Sequence, residues 1–368
     1  MRNDNLITRH VVRGIRIIVL AIVTSGVGGT ASADDVGGCD GIDGIDGIVP
    51  YCGFMHPEDL EVLGGGDRMI VSEYGSLDGS KAGALAVFSL RDATHARVFP
   101  AATARSEKRA GWGDPACPGP PSDAFDPHGI FHGKIAGDTR LLVVNHGGRE
   151  SVELFEIERD AGGDVALIWR GCVIAPQGAW LNDVAGLPDG EFVVTHMMTR
   201  GSTSEAIYAA EASKAATGYV LAWSESGGWN EVRGTAGALP NGIEVSDDGS
   251  RLFVNYYFGD EVVAFDRSSG ERLWRASVNG PDNSSWAADG RLLVASHEAR
   301  LEDVMHCSEH GGDFCPLAYA VVAIDRDTGA HETLMTGGGA PFGGATVAVE
   351  VDGHYYLGSF AGDRIVRR

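Results

Sequence analysis

Asn241-Gly242-Ile243-Glu244-Val245, then Asp247-Asp248-Gly249, Arg251-Leu252-Phe253-Val254 and Glu261-Val262-Val263-Ala264-Phe265, is the phrase on which the fold turns. It reads as a polar opening, an Asp-Gly turn, and two apolar runs of β-branched and aromatic residues. The phrase recurs. Asn182-Asp183-Val184 leads to Asp189-Gly190, Phe192-Val193-Val194 and Tyr219-Val220-Leu221. Asp282-Asn283 leads to Asp289-Gly290, Leu292-Leu293-Val294 and Val321-Val322-Ala323-Ile324. Fainter copies open at Glu58-Asp59, at Asp126-Pro127-His128 and, with least polarity, at Gly344-Ala345-Thr346. Six units of three or four strands, beginning roughly 40–70 residues apart, have the spacing of propeller blades with loop insertions. The expectation is an all-β chain folded as a six-bladed β-propeller. A β-sandwich or β-helix would explain the alternation, but not a polar residue at one phase of each unit. Only 204–216 has helix-forming composition and length.

A radial arrangement sends equivalent positions to one axis. The openings then gather Glu58, Asp59, His128, Asn182, Asp183, Asn241, Asp282 and Asn283 at a central channel. Carboxylates and amides without thiolates suit a hard cation, and calcium takes roughly six to eight oxygens. Taken singly, Asn182 or Asn283 reads as a turn former. The same habit in five of six units reads as a ligand set. His128 opens an inner strand, and His146, His196 and His297 stand near strand ends. A neutral imidazole beside a cation can act as a general base on water. There is no G-x-S-x-G elbow, H-E-x-x-H, C-x-x-C, P-loop or dinucleotide fingerprint.

The first 33 residues read as a signal peptide. Arg2, Arg9, Arg13 and Arg16 precede a short apolar run at 17–23, and Ala31-Ser32-Ala33 has the form of a cleavage site. That run is too short to span a bilayer. Residues 34–368 are expected to form a single domain, exported or periplasmic, with no stable membrane span after cleavage. The net charge is −22, and removing the leader takes it to about −25, which argues against nucleic acid and anionic membranes. All six cysteines lie after the leader, and an even count in an exported chain favours disulfides. Proximity suggests Cys39 with Cys52 and Cys307 with Cys315, leaving Cys117 with Cys172. His306, Cys307, His310 and Cys315 match no common zinc spacing.

At these residues the chain resembles the paraoxonase/arylesterase family of calcium-dependent six-bladed propellers. Pro57-Glu58-Asp59-Leu60-Glu61 is similar to the family's first-blade motif. Pro127-His128-Gly129-Ile130, Leu142-Val143-Val144-Asn145-His146 and Ser151-Val152-Glu153-Leu154-Phe155 resemble its most recognisable stretch. Leu181-Asn182-Asp183, Asn241-Gly242-Ile243, Asp282-Asn283 and Leu357-Gly358-Ser359-Phe360 follow in the family's order.

The resemblance implies a calcium-dependent hydrolase of lactones and aryl esters. Glu58, Asn182, Asn241, Asp282 and Asn283 would hold a catalytic Ca2+. Asp59, Asp183 and the Ile130 carbonyl would hold a second, structural Ca2+. His128 and His146 would form the catalytic pair, and His196, Leu239, His297, Thr346 and Phe360 would line the pocket of a small-molecule ester or lactone. The chain departs from the pattern at Leu239, where an aromatic is usual, and at Thr195, where an acidic residue is expected. It also lacks a cysteine in its last residues to close the ring. The rival readings are a gluconolactonase- or strictosidine-synthase-type propeller enzyme and a non-catalytic calcium-loaded propeller.

Overall fold

In the run Leu141-Leu142-Val143-Val144, alternate residues take opposite faces, as a strand requires. Leu141 and Val143 join a buried cluster with Ile70, Leu85 and Phe99, whereas Leu142 and Val144 join one with Leu181, Val184 and Val194. One strand thus packs against the blade before it and the blade after it. The same division holds around a closed ring of six inter-blade clusters. The computed structural model describes residues 47–368 apart from 77, 103, 161, 162, 311 and 313. The leader expected at 1–33 and Cys39 lie outside the described residues. The described residues form one compact unit.

Six sheets, five of four strands and one of five, are the blades expected from the repeat. Their inner strands are Pro57–Val62, Pro127–Ile135, Ala179–Gly186, Pro240–Val245, Pro281–Trp286 and Ala345–Val351. From each inner strand the chain proceeds outward as an antiparallel meander, and in the five-stranded blade the short strand Arg105–Ser106 adds a parallel outer edge to Val165–Ile174. In blades 3 to 6 the first turn is the Asp-Gly step, with Gly190, Gly249, Gly290 and Gly353 at φ of 101°, 70°, 83° and 77°. A glycine holds that left-handed conformation without a Cβ penalty.

Ring closure was not legible in the sequence. The N-terminal strand Val49–Cys52 pairs antiparallel with the final strand Arg364–Arg367 and becomes the outer strand of blade 6. Backbone pairing thereby joins the two ends, and Tyr51 packs against Phe88 of blade 1 with ring centroids 5.0 Å apart. Cys307–Cys315 is a disulfide, as expected from its short spacing, and Cys117–Cys172 is one, as the pair left over. The first consumes both thiolates of the zinc alternative.

Helix α1 (Ser204–Ser213) lies within the segment read as helical, capped by Thr203, which accepts from the Ala206 N–H. A second helix, α2 (Leu301–His310), overturns the reading of 204–216 as the sole helical stretch. Its sequence, LEDVMHCSEH, carries acidic residues in the first turn, favourable at a helix N-terminus. The Cys307–Cys315 bridge ties it to the chain that follows. No helix among the described residues is long and apolar enough to cross a membrane.

Inner strands approach closely around the channel. A Cβ placed on Gly242 would lie 2.4 Å from the Asp282 carbonyl oxygen and 2.9 Å from the Asn283 Cα. Gly242→Ala is therefore expected to lower stability by about 1–3 kcal/mol, as overpacking does. Urea unfolding of the variant beside the wild type measures it.

Candidate active site at the channel mouth

Every inner strand breaks register with its neighbour at its opening. The irregularities fall between Pro57 and Asp59, Pro127 and Ile130, Leu181 and Val184, Pro240 and Ile243, Pro281 and Ser284, and Ala345 and Val347. A β-bulge releases residues from the ladder and re-aims their side chains. Here it acts on the polar openings of the repeat. Glu58, His128, Asn182, Asn241, Asp282 and Thr346, one from each blade, line a single cavity of about 590 Å³. Neighbouring blades hold the bulged backbone. Thr346 Oγ1 donates to the Glu58 carbonyl at 2.6 Å, Thr195 Oγ1 donates to the Asn241 carbonyl, and Asn255 Nδ2 donates to the Asp282 carbonyl.

Four oxygens in this ring are buried without a hydrogen-bond partner: Glu58 Oε2, Asn182 Oδ1, Asn241 Oδ1 and Asn283 Oδ1. Buried acceptors are ordinarily paired, and leaving one unpaired costs about 1–3 kcal/mol. Four at one mouth are what a cation-binding shell presents. Charge points the same way. Burial, and then the neighbouring charge of Glu58, hold the Asp282 carboxyl well above the usual carboxylate range. The Asn283 amide donates to Glu58 Oε1 at 2.8 Å, which leaves its own oxygen for another partner. Among the described residues no group of three or more His, Cys, Asp or Glu side chains forms a metal cluster. The ring's donors are chiefly amides, and its composition fits calcium rather than zinc.

Asp59 and Asp183 sit differently. Asp59 accepts the N–H of Leu60 at 2.8 Å and of Ile130 at 2.7 Å. Asp183 accepts the N–H of Val184 at 2.7 Å and of Ile243 at 2.8 Å. Each carboxylate thus clamps its own strand to the inner strand of the following blade. Burial raises both well above their usual range, with the charge of Glu58 adding to the effect at Asp59 and that of Asp59 at Asp183. Their oxygens are not orphaned, so the observation that favours an ion at Glu58, Asn182, Asn241 and Asn283 does not extend to them.

His128 Nδ1 lies 2.8 Å from His146 Nε2, and His128 Nε2 lies 3.6 Å from Glu58 Oε1. Burial works against a charged His128, yet the charge of Glu58, 3.6 Å away and beyond hydrogen-bond reach, raises the ring's pKa on balance. Tyr74 covers the His128 ring at 5.1 Å between centroids. His297 lines the cavity and its Nδ1 is 2.8 Å from the Tyr257 hydroxyl. Burial pushes it down to about 4, so it is neutral near pH 7. Leu239 and Phe360 also line the cavity. His196 does not; its Nδ1 accepts from the Trp180 N–H at 3.1 Å and holds the wall from behind.

The rest of the wall escaped the sequence reading. Trp180, Met197, Met198 and Phe258 contribute from the blades, and Leu301 and Met305 from α2. The Met197-Met198 pair was a visible signal, but only the bulged strand and the covering helices show which way it faces.

The opposite ends of the inner strands surround a second cavity, of about 550 Å³, that includes Glu61, His132, Glu244 and Trp286. The Trp286 indole N–H donates to Glu244 Oε2 at 3.0 Å. Burial pushes the Glu244 carboxyl up to about 8 from its ordinary 4.5. The folded state then holds a proton that the unfolded chain has released, so this group lowers stability as pH rises from about 4.5 to about 8. Glu244→Gln is expected to flatten that fall, measured as melting temperature against pH in both proteins.

No protein-family model and no curated protein sequence matches the chain. Solved structures similar to it include a gluconolactonase from Xanthomonas campestris, at 16% identity and a TM-score of 0.50, covering 87% of this chain and 88% of that one. A luciferin-regenerating enzyme aligns at 11% identity and a TM-score of 0.52, covering 87% of this chain and 95% of the other. At these identities the likeness is one of fold.

Proposed function

We propose that the chain is an exported, calcium-dependent hydrolase of lactones and aryl esters, similar to the paraoxonase/arylesterase family. The observation that carries the reading is four partnerless buried oxygens, on Glu58, Asn182, Asn241 and Asn283, at the mouth of the cavity that His128 lines, with His146 backing His128 at 2.8 Å. Glu58, Asn182, Asn241, Asp282 and Asn283 would hold the ion. When bound, calcium polarises an ester carbonyl and stabilises charge on its oxygen. His128, facing the same cavity, takes the proton from the attacking water, and His146 holds its ring in place. The wall of Trp180, Met197, Met198, Leu239 and Phe258 receives the apolar part of the substrate. A second, structural ion at Asp59, Asp183 and the Ile130 carbonyl rests on the family resemblance and on two repelling buried carboxylates. The leader at 1–33 and the disulfides favour export or the periplasm.

A gluconolactonase-type activity is the second reading, favoured by the fold shared with the Xanthomonas campestris gluconolactonase. Purified protein assayed on phenyl acetate, on alkyl-substituted γ- and δ-lactones and on gluconolactone, with and without chelator, separates the two. Preference for the apolar substrates, lost in chelator and restored by calcium, is the expected result. Preference for the sugar lactone supports the second reading. Full turnover after complete calcium removal sinks the mechanism, and calcium binding without turnover on any substrate leaves a binding propeller.

A further inference from the structure

The chain holds a polar connection behind the histidine pair. His146 Nδ1 lies 3.1 Å from both carboxylate oxygens of Glu150. His146 is fully buried, and the Glu150 side chain is only 9% exposed. Glu150 Oε1 also accepts the Leu181 N–H at 2.7 Å, on the strand residue preceding Asn182. Arg200 forms an ion pair with Glu150 Oε2. Its Nη2 donates to the carbonyls of His146 at 2.8 Å and Asp78 at 3.0 Å. Glu150 thus stands where the backing of the histidine pair meets the strand that delivers an amide to the ring.

We infer that Glu150, held by Arg200, is the positioning residue that fixes the tautomers of both histidines and leaves His128 Nε2 as the free lone pair at the cavity. A carboxylate has only acceptors, so His146 Nδ1 must carry a hydrogen. In the neutral ring His146 Nε2 is then an acceptor, and His128 Nδ1 must donate across the 2.8 Å contact. That leaves His128 Nε2 bare, 3.6 Å from Glu58 Oε1 and so outside hydrogen-bond reach of it. The opposite tautomers would aim the His146 lone pair at a carboxylate and put an N–H at the catalytic position. The Arg200 ion pair and the Leu181 N–H hold the Glu150 carboxylate in place, so that it orients His146.

The inference deepens the hydrolase reading and rests on it for its catalytic consequence. In that reaction the proton leaving water ends on His128 Nε2 while the oxygen bonds to the carbonyl carbon. The imidazolium charge spreads through the Nδ1–H···Nε2 bond, and the proton passes on to the leaving alkoxide.

Long-range ¹⁵N–¹H spectra of histidine-labelled protein, assigned with His128→Gln and His146→Gln, read the tautomers directly. Wild type is expected to show Nδ1–H and bare Nε2 on both rings. In Glu150→Ala both rings are expected to redistribute, with kcat for phenyl acetate falling about 10–100-fold and KM within about twofold, as for lost orienting partners. Glu150→Gln keeps volume and one acceptor oxygen, and is expected to retain the tautomers and part of kcat. Unchanged tautomers in Glu150→Ala, or a Glu150→Gln protein that folds but is as impaired as Glu150→Ala, overturn the inference. A wild type without esterase or lactonase turnover, but with Glu150-dependent tautomers, sinks the hydrolase reading and leaves the positioning role standing.

Discussion

Asp282→Asn is expected to lower kcat/KM for phenyl acetate by about 10³-fold or more and to abolish the rise in melting temperature on adding calcium, while making the calcium-free protein more stable. The three effects have one cause. Asp282 is buried beside Glu58, and burial followed by that neighbouring charge raises its carboxyl well above the usual range. Without a cation, ionising this carboxylate opposes folding, and a neutral amide of the same shape removes the opposition. With a cation, the same charge supplies attraction that an amide cannot match. Calcium at a thousand times its dissociation constant stabilises a protein by about 4 kcal/mol, and calorimetry with and without chelator detects a shift of that size. If Asp282 only braces the fold, the variant loses stability in both conditions and keeps its calcium response. That outcome removes Asp282 from the ligand set.

His128→Gln is expected to reduce kcat by about 10²–10⁴-fold, with KM and the calcium-dependent melting shift both retained. His128 lines the cavity, whereas His146 stands behind it, fully buried against Glu150. Glutamine fills similar space and hydrogen-bonds, but it cannot accept a proton from water near pH 7. Loss of turnover with intact calcium binding therefore isolates proton transfer from electrophilic assistance. Normal turnover in the variant eliminates the base assignment and leaves the cation as the source of catalysis.

The strands were legible because a strand pair records itself locally. Apolar alternation, an Asp-Gly turn and a second apolar run lie within about twenty residues of one another. Cys307–Cys315 was legible from its short spacing, whereas Cys117–Cys172, 55 residues apart, followed only as the pair left over. Closure was not, because Val49–Cys52 pairs with Arg364–Arg367 across the length of the chain. Helix α2 was missed because its apolar residues are few and its Cys and His suggested other chemistry. Glu150 was overlooked because it sits in a turn, where an acidic residue ordinarily means solvent.

The sequence alone determined that six like units are present and that five of them open on oxygen- or nitrogen-bearing side chains. Covalent order and a repeated pattern suffice for that. The tertiary structure decided what those openings do. The bulge at each opening turns one side chain toward a shared cavity, and ring closure brings Asn283 within 2.8 Å of Glu58 across 225 residues. It also left Asp59 and Asp183 clamping backbone N–H groups while the amides of Asn182, Asn241 and Asn283 kept unpaired oxygens. Hydrogen-bond satisfaction depends on which distant groups arrive at each atom, and only the folded chain specifies that.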